Sequence, residues 1–407
     1  MVATLHDDLF APEVTADPYT YFGRLRQEDP IHWNGKYGVW IITRHDDVVW
    51  VARNSERFSS AVYQRDPRPP YPPIDADDME LYRVMRAWMS DRFMHRDRPD
   101  HTDMRQVIHG YFSPGVMERW RPVVVAEIDD LLDKAEARGR MDVIADFAVP
   151  LPVLVIAQML ALPSQDRQFV RRLTEKALFL DSAEANRLQT YVAAMEELAA
   201  YLTPLVAERM AHPGDDLLSA LARGAQRGVY TGQEVLANAI MLLFAGHETT
   251  ISLICNGTLA FIRHPEQWAS LQREPSSMQA VQATEECLRY DPPVKAIQRI
   301  AVEDVERRGK VMRKHERVLW CISSANRDPE VFERPDTFDI SRSPNRHASF
   351  GAGIHHCLGA TLARLEGQEA FTALARRFPA LRLETGDLTY HPSLSLRSLK
   401  HLSVSWS

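Results

Sequence analysis

With 407 residues, 45% hydrophobic and 25% charged, the chain has material for a large buried core and the composition of an ordinary globular protein. Its formal net charge of −7 supplies no global basic field, which argues against nucleic acid as a partner. Its four cysteines (255, 287, 321, 357) form no CxxC pair and no ferredoxin-type cluster, as expected of thiols kept reduced in a cytosol.

The opening "MVATLHDDLFAPEVTADPYTYF" carries two aspartates where a signal peptide needs lysines and has no apolar centre, so a cytoplasmic protein is expected. "YGVWIITR" (37 to 44) reads as a strand. Between Phe58 and His101, "RDPRPPYPPIDADD" is too rich in proline for a helix. The amphipathic piece after it, "MELYRVMRAWMSDRFMHRDRPD", presents Met85, Trp88, Met89 and Phe93. A long loop of this kind reads as a binding loop or lid, although a mobile surface insertion accounts for the same residues. Segments 114 to 137, 184 to 211 and 275 to 290 space their apolar residues by three and four, as helices do. "HLSVSW" (401 to 406) closes the chain with a strand. No repeat or Gly/Ser linker interrupts it, so residues 1–407 are expected to form a single, mainly α domain with small β-sheets.

"TGQE" at Thr231–Glu234 has the spacing of a capping box, and nothing stops the helix it opens before "RHP" at 263 to 265, roughly 50 Å away at 1.5 Å per residue. The helix is apolar nearly all round, yet Asn238, His247, Glu248 and Asn256 suit a buried soluble helix better than a membrane span. At its centre stands "FAGHETT". Gly246 costs about 1 kcal/mol relative to alanine there, and the Thr249 hydroxyl can return to the carbonyl of Ala245. A local opening follows, with Glu248 and Thr249 beside it as either a proton relay or a satisfied polar pair in a kinked core helix.

The stretch "ASFGAGIHHCLGATLARLEGQ" (348 to 368) allows three readings. A phosphate loop lacks its third glycine and its lysine. A zinc site would need His347, His355, His356 and Cys357 to converge from neighbouring positions. An axial thiolate for haem iron would use Cys357 where the loop meets a helix, with its pKa lowered by the helix start. Gly351 and Gly353 would let the loop fold tightly, and Gly359 would leave room for a flat macrocycle.

"FGAGIHHCLG" (Phe350 to Gly359) resembles the Phe-Gly-x-Gly-x-His-x-Cys-x-Gly signature of cytochromes P450 at every specified position. "AGHETT" is similar to the family's oxygen-binding motif and "ECLR" (Glu286 to Arg289) to its Glu-x-x-Arg motif. "DHTDMR", "ANRDP" and "FDISR" follow in the order of the soluble bacterial branch. The resemblance implies a P450-like fold around a buried haem b, with Cys357 as the metal ligand. It implies that Thr249 serves oxygen activation and that Glu248 connects the site to protons. His101, Arg105, Arg299 and His355 match the family's propionate partners, and Ala245, Phe350, Gly351 and Gly359 are the other implied cofactor contacts. Glu286 and Arg289, with Arg342 as a third member, form an implied structural cluster.

The same resemblance places an apolar substrate pocket at Trp88, Phe93, Val294, Ile297 and Leu394, for a small and largely hydrophobic molecule. Lys295 is expected to point to solvent. Where the family has Ile-Pro-Ala-Gly or similar after Arg299, this chain has "MRKHERV" (312 to 318), so an altered turn is expected. A monooxygenase is the implied activity, with a peroxide-driven hydroxylase and a haem-based sensor as rivals. With no flavin domain or iron–sulfur cysteines visible, electrons are expected from a ferredoxin-type donor and its reductase. The acid-free run from Ile340 to Leu365, with Arg342, Arg346 and Arg364, is the expected basic dock.

Overall fold

A computed structural model describes residues 7–66, 68, 74–177, 186–273, 277–384 and 388–406. Helices with three- and four-residue apolar spacing frame the site: α1 (Met79–Ser90), α2 (Asp100–His109), α3 (Pro114–Glu136), α4 (Arg187–Ala211), α5 (Gly232–Ala245), α6 (His247–Arg263), α7 (Ser277–Tyr290) and α8 (Ala360–Arg377). The capping box forms as spaced, the Thr231 hydroxyl accepting from Glu234 N at 3.1 Å and the Glu234 carboxylate from Thr231 N at 2.8 Å. The helix it opens breaks at Gly246 into α5 and α6. This 32-residue run is long and apolar enough to cross a membrane, but 78% of its most apolar window is buried inside the protein, which makes it a core helix.

Helix α8 packs on α3, α6 and α7. Gly257 permits the closest of these approaches, since a Cβ there would lie 2.3 Å from the Phe371 ring.

Among the described residues, ten strands complete the fold: β1 (Ile31–Asn34), β2 (Val39–Ile42), β3 (Phe58–Ser59), β4 (Arg140–Asp142), β5 (Ala296–Ala301), β6 (Val305–Arg307), β7 (Lys310–Met312), β8 (Arg317–Cys321), β9 (Arg382–Leu383) and β10 (Ser403–Ser405). The larger sheet has the order β1-β2-β8-β5-β3, the smaller β4-β10-β9, and β6–β7 is a separate hairpin. Register in the larger sheet matters for the site. Ile297 pairs with Trp320 and Arg299 with Val318, so the two-residue period puts all four side chains on one face.

Two expectations change here. The amphipathic piece after the prolines is not a surface insertion: it forms α1 against α4, with Met85, Trp88, Met89 and Phe93 all less than a tenth exposed. Part of the proline-rich stretch, residues 67 and 69–73, lies outside the described residues. The 312–318 turn closes without proline or glycine. His315 takes the left-handed conformation (φ 71°), Asp304 accepts from Lys314 N at 2.9 Å, and Glu316 accepts from Arg313 N at 2.7 Å. Side-chain carboxylates supply the acceptors that hold this turn.

Candidate active site

The loop before α8 is held from both sides. Asn326 accepts from Ala348 N (2.8 Å) and donates to the Ser349 hydroxyl (2.8 Å), which donates to Leu288 O (2.6 Å). Gly351 (φ 70°) and Gly353 (φ 73°) turn the chain, and a Cβ on Gly353 would sit 2.8 Å from Ala52 O. Cys357 N then donates to Phe350 O at 2.8 Å, closing the loop around the sulfur. Cys255, Cys287 and Cys321 are buried. Cys357 alone of the four is exposed. A Cβ on Gly359 would meet no protein atom within 4 Å, so that side of the helix start is flat.

One electrostatic expectation is reversed. Burial raises the Cys357 thiol above its ordinary pKa, outweighing the Gly359 N–H and the charges of Arg105 and Arg364. The helix start alone does not make a thiolate; a bound cation does. Zinc does not fit that role. His347 is turned to Glu285 (3.2 Å), and among the described residues no three metal-ligating side chains converge.

Beside the loop lie four cationic or potentially cationic groups. His101 and His355 stack with centroids 4.0 Å apart, and both His101 ring nitrogens and His355 Nε2 are buried without a partner. Arg299 reaches only the carbonyl of Gln298 (3.0 Å) and lies 5.7 Å from the Trp320 ring, whose own N–H is also buried and unpartnered. Arg105 makes no ion pair among the described residues. Asp97 is the nearby carboxylate, already engaged by the Ser59 hydroxyl (2.5 Å) and Arg65 (3.3 Å). Burial lowers the His101 pKa to about 4 and that of Arg299 to about 10; burial and the charges of Arg299, His101, Arg105 and His95 lower His355 to about 2. Buried donors without acceptors and like charges without a counterion suit a group carrying two carboxylates, as haem does. Trp320 was invisible to motif reading and enters only through strand register.

On the central helix, Thr249 donates to Ala245 O at 2.9 Å, as its four-residue spacing predicts. Ala245 is exposed and Gly246, Glu248 and Thr249 are half-buried within an otherwise buried run, so the break exposes one short side of the helix. Burial raises the Tyr191 pKa, and Glu248 lies close enough to add to that shift. His247 is buried and held neutral, its Nε2 donating to Val149 O at 2.9 Å, with burial lowering its pKa to about 4. Glu366, on α8, also escaped the sequence reading. It is 1% exposed, its Oε2 accepts from the Thr250 hydroxyl at 3.3 Å, and burial raises its pKa to about 8. A charge on the buried stripe of α8 was the available signal.

The remaining residues divide. Glu286 and Arg289 are fully buried in a two-bond pair (2.8 and 2.8 Å), and Arg342 joins at 3.2 Å. Trp88 and Phe93 belong to the main core, and Val294 and Ile297 pack with Trp320. Leu394 packs instead against a separate cluster, the one that contains Ala296, Leu319 and Cys321, while Leu396 forms the bridge to Val294. Lys295 is not solvent-directed: it is 4% exposed and donates to Ser393 O.

A family model of cytochrome P450 matches residues 179–400. The biotin biosynthesis cytochrome P450 of Bacillus subtilis (strain 168) is 34% identical over 408 residues, covering 99% of this chain and 100% of the relative. Among solved structures, CalO2 superimposes with a TM-score of 0.88 at 34% identity, covering 98% of each chain. P450BioI, in complex with an acyl carrier protein ligated to hexadec-9Z-enoic acid, gives 0.86 at 33%, covering 97% of this chain and 99% of the other.

Proposed function

The chain belongs to the cytochrome P450 family, and from that premise we propose that it is a haem-thiolate monooxygenase of the cytoplasm, acting on a small and largely hydrophobic substrate with electrons from a separate donor. The observation that carries the site is the exposed Cys357 sulfur beside two arginines and two histidines, none of which forms an ion pair with a carboxylate among the described residues. When bound, b-type haem supplies reduction of dioxygen, one oxygen atom passing to the substrate and the other leaving as water.

The chain's own residues hold, orient and move protons. Cys357 provides the sulfur ligand. His101, Arg105, Arg299 and His355 would hold the propionates, with the Arg299 guanidinium kept in place against Trp320. The Thr249 hydroxyl, fixed by its bond to Ala245 O, keeps its lone pairs free to accept a hydrogen bond at the helix break. Glu248, half-buried next to Thr249 at the helix break, would connect the site to protons. Trp88, Phe93, Val294 and Ile297 supply apolar walls that exclude water from the substrate. A ferredoxin with its reductase is the proposed electron source.

The reduced protein under carbon monoxide should show the red-shifted Soret band of thiolate-ligated haem, and Cys357→His should abolish that band. A purified chain that takes up zinc and no haem would contradict the reading.

A further inference from the structure

Six arginines are less than a tenth exposed: Arg92, Arg289, Arg299, Arg317, Arg327 and Arg397. Four of them have carboxylate partners, Arg289 with Glu286, Arg317 with Asp66, Arg327 with Asp336 and Arg397 with Asp291. Arg299 belongs to the propionate cluster. Arg92 is left.

Arg92 sits in the link between α1 and α2, 5% exposed. One of its terminal nitrogens, Nη2, donates to the Tyr191 hydroxyl and lies 3.5 Å from Met195 Sδ, and the guanidinium stands 6.0 Å from the Tyr191 ring. Its Nε is buried without a partner, and no carboxylate among the described residues forms an ion pair with it. A phenol and a thioether are neutral acceptors, and Glu248, whose charge reaches Tyr191, forms no ion pair with the guanidinium, so no carboxylate of the described residues meets the charge directly; a buried guanidinium persists at low cost only where an anion does.

Its surroundings say what carries the anion. The next residue, Phe93, is fixed to the central helix by its N–H to Asn238 Oδ1 (3.0 Å). Tyr191 lies 5.9 Å from Phe244, the residue before Ala245 at the helix break, and 3.9 Å from Met89 Sδ. Arg92 therefore shares its walls with the apolar residues of the proposed pocket, among thioethers and aromatic rings that take a flexible chain.

We propose that Arg92 anchors a carboxylate of the substrate, so that the molecule oxidised is an acid carried on an apolar tail, held by its charged end between α1 and α4. This rests on the haem-thiolate reading and adds the substrate's class to it. A haem propionate is the competing anion, because the field of Arg92 and that of Arg299 meet at His95, but His101, Arg105, Arg299 and His355 already face two propionates with four groups.

Dodecanoate and its methyl ester, titrated into the ferric holoprotein and read by the Soret shift, test the proposal. The wild type should bind the acid about tenfold or more tightly than the ester, Arg92→Gln should lose that preference with ester affinity kept within about twofold, and Arg92→Lys should retain part of it. No shift with the acid, equal affinities for acid and ester in the wild type, or equal weakening of both by Arg92→Gln would overturn it. So would loss of haem from Arg92→Gln with the acid preference intact, which would assign the arginine to a propionate. The wild-type titration needs no variant to fold. Failure of the underlying haem-thiolate reading would show separately, as a missing red-shifted band under carbon monoxide.

Discussion

Two buried charge clusters in this protein treat their arginines in opposite ways. Around Glu286 every donor is spent: Arg289 gives two bonds to the carboxylate and three to the carbonyls of Asn326, Pro335 and Thr337, and Arg342, Asn345 Nδ2 and Asp339 N share the same oxygens. Around Arg299 and His101 the donors outnumber the acceptors, and the one nearby carboxylate among the described residues, Asp97, is already engaged by Ser59 and Arg65. The first cluster closes on itself and holds the segment leading to the haem loop; the second is complete only with an anionic ligand. A buried charge without an internal partner thus marks function, while a buried charge with one marks structure.

The contrast has measurable consequences. Glu286→Ala should have the largest effect, leaving two arginines buried without their carboxylate at a cost of about 3–5 kcal/mol. Soluble holoprotein yield and urea midpoint report it, and near-wild-type stability would show that the closed cluster is not structural.

Glu366 is a third kind of buried charge, an acid that keeps its proton. Its pKa is raised from 4.5 to about 8, so between those values the folded state holds a proton that the unfolded chain releases. Stability from this group therefore falls as pH rises through that window and is level above it, by about 5 kcal/mol in total. Glu366→Gln should flatten the decline in unfolding free energy between pH 5.5 and 8.5, with little change at the acid end. An unchanged slope would mean that the carboxyl ionises freely.

In the open cluster the sign is reversed from that at Glu286. Arg299→Leu should leave the haem-free protein as stable or slightly more so, since it removes a buried guanidinium with no ion-pair partner among the described residues, while weakening haem retention by about 1–3 kcal/mol. Transfer of haem to a scavenging apoprotein, set beside thermal unfolding of the haem-free chain, separates the two. Parallel losses in both measurements would make the open cluster structural as well.

What the sequence made legible was what local spacing controls. The four-residue return of Thr249 to Ala245, the three-residue box of Thr231 and Glu234, and the three-residue pair Glu286–Arg289 all stand as their intervals require. What escaped depended on neighbours distant in sequence. Arg364 and His347 both meet Glu285 of α7, Leu394 faces the other cluster, Trp320 joins Arg299 through strand pairing, and burial outweighs the helix start at Cys357. Composition of a window says nothing of the charges that fold onto it.

That lesson sets the smallest expected effect. The run from Ile340 to Leu365 has no acid of its own, yet Arg342 is bound by Glu286 at 3.2 Å and Arg364 by both oxygens of Glu285 at 2.7 and 2.9 Å. Arg346 is the exposed arginine left, its backbone carbonyl accepting from His45 at 3.0 Å and its guanidinium in no ion pair among the described residues. One free charge produces a weak field, which salt screens over about 8 Å at physiological ionic strength. Arg346→Glu should therefore slow reduction by an acidic ferredoxin about two- to threefold, with a shallow salt dependence and no change in reduction by dithionite. A tenfold loss would mean that Arg342 or Arg364 leaves its glutamate when the donor docks. Kinetics indifferent to both salt and charge reversal would place the donor on another face, because a partner steered by this one must feel the single arginine that the chain leaves unneutralised there.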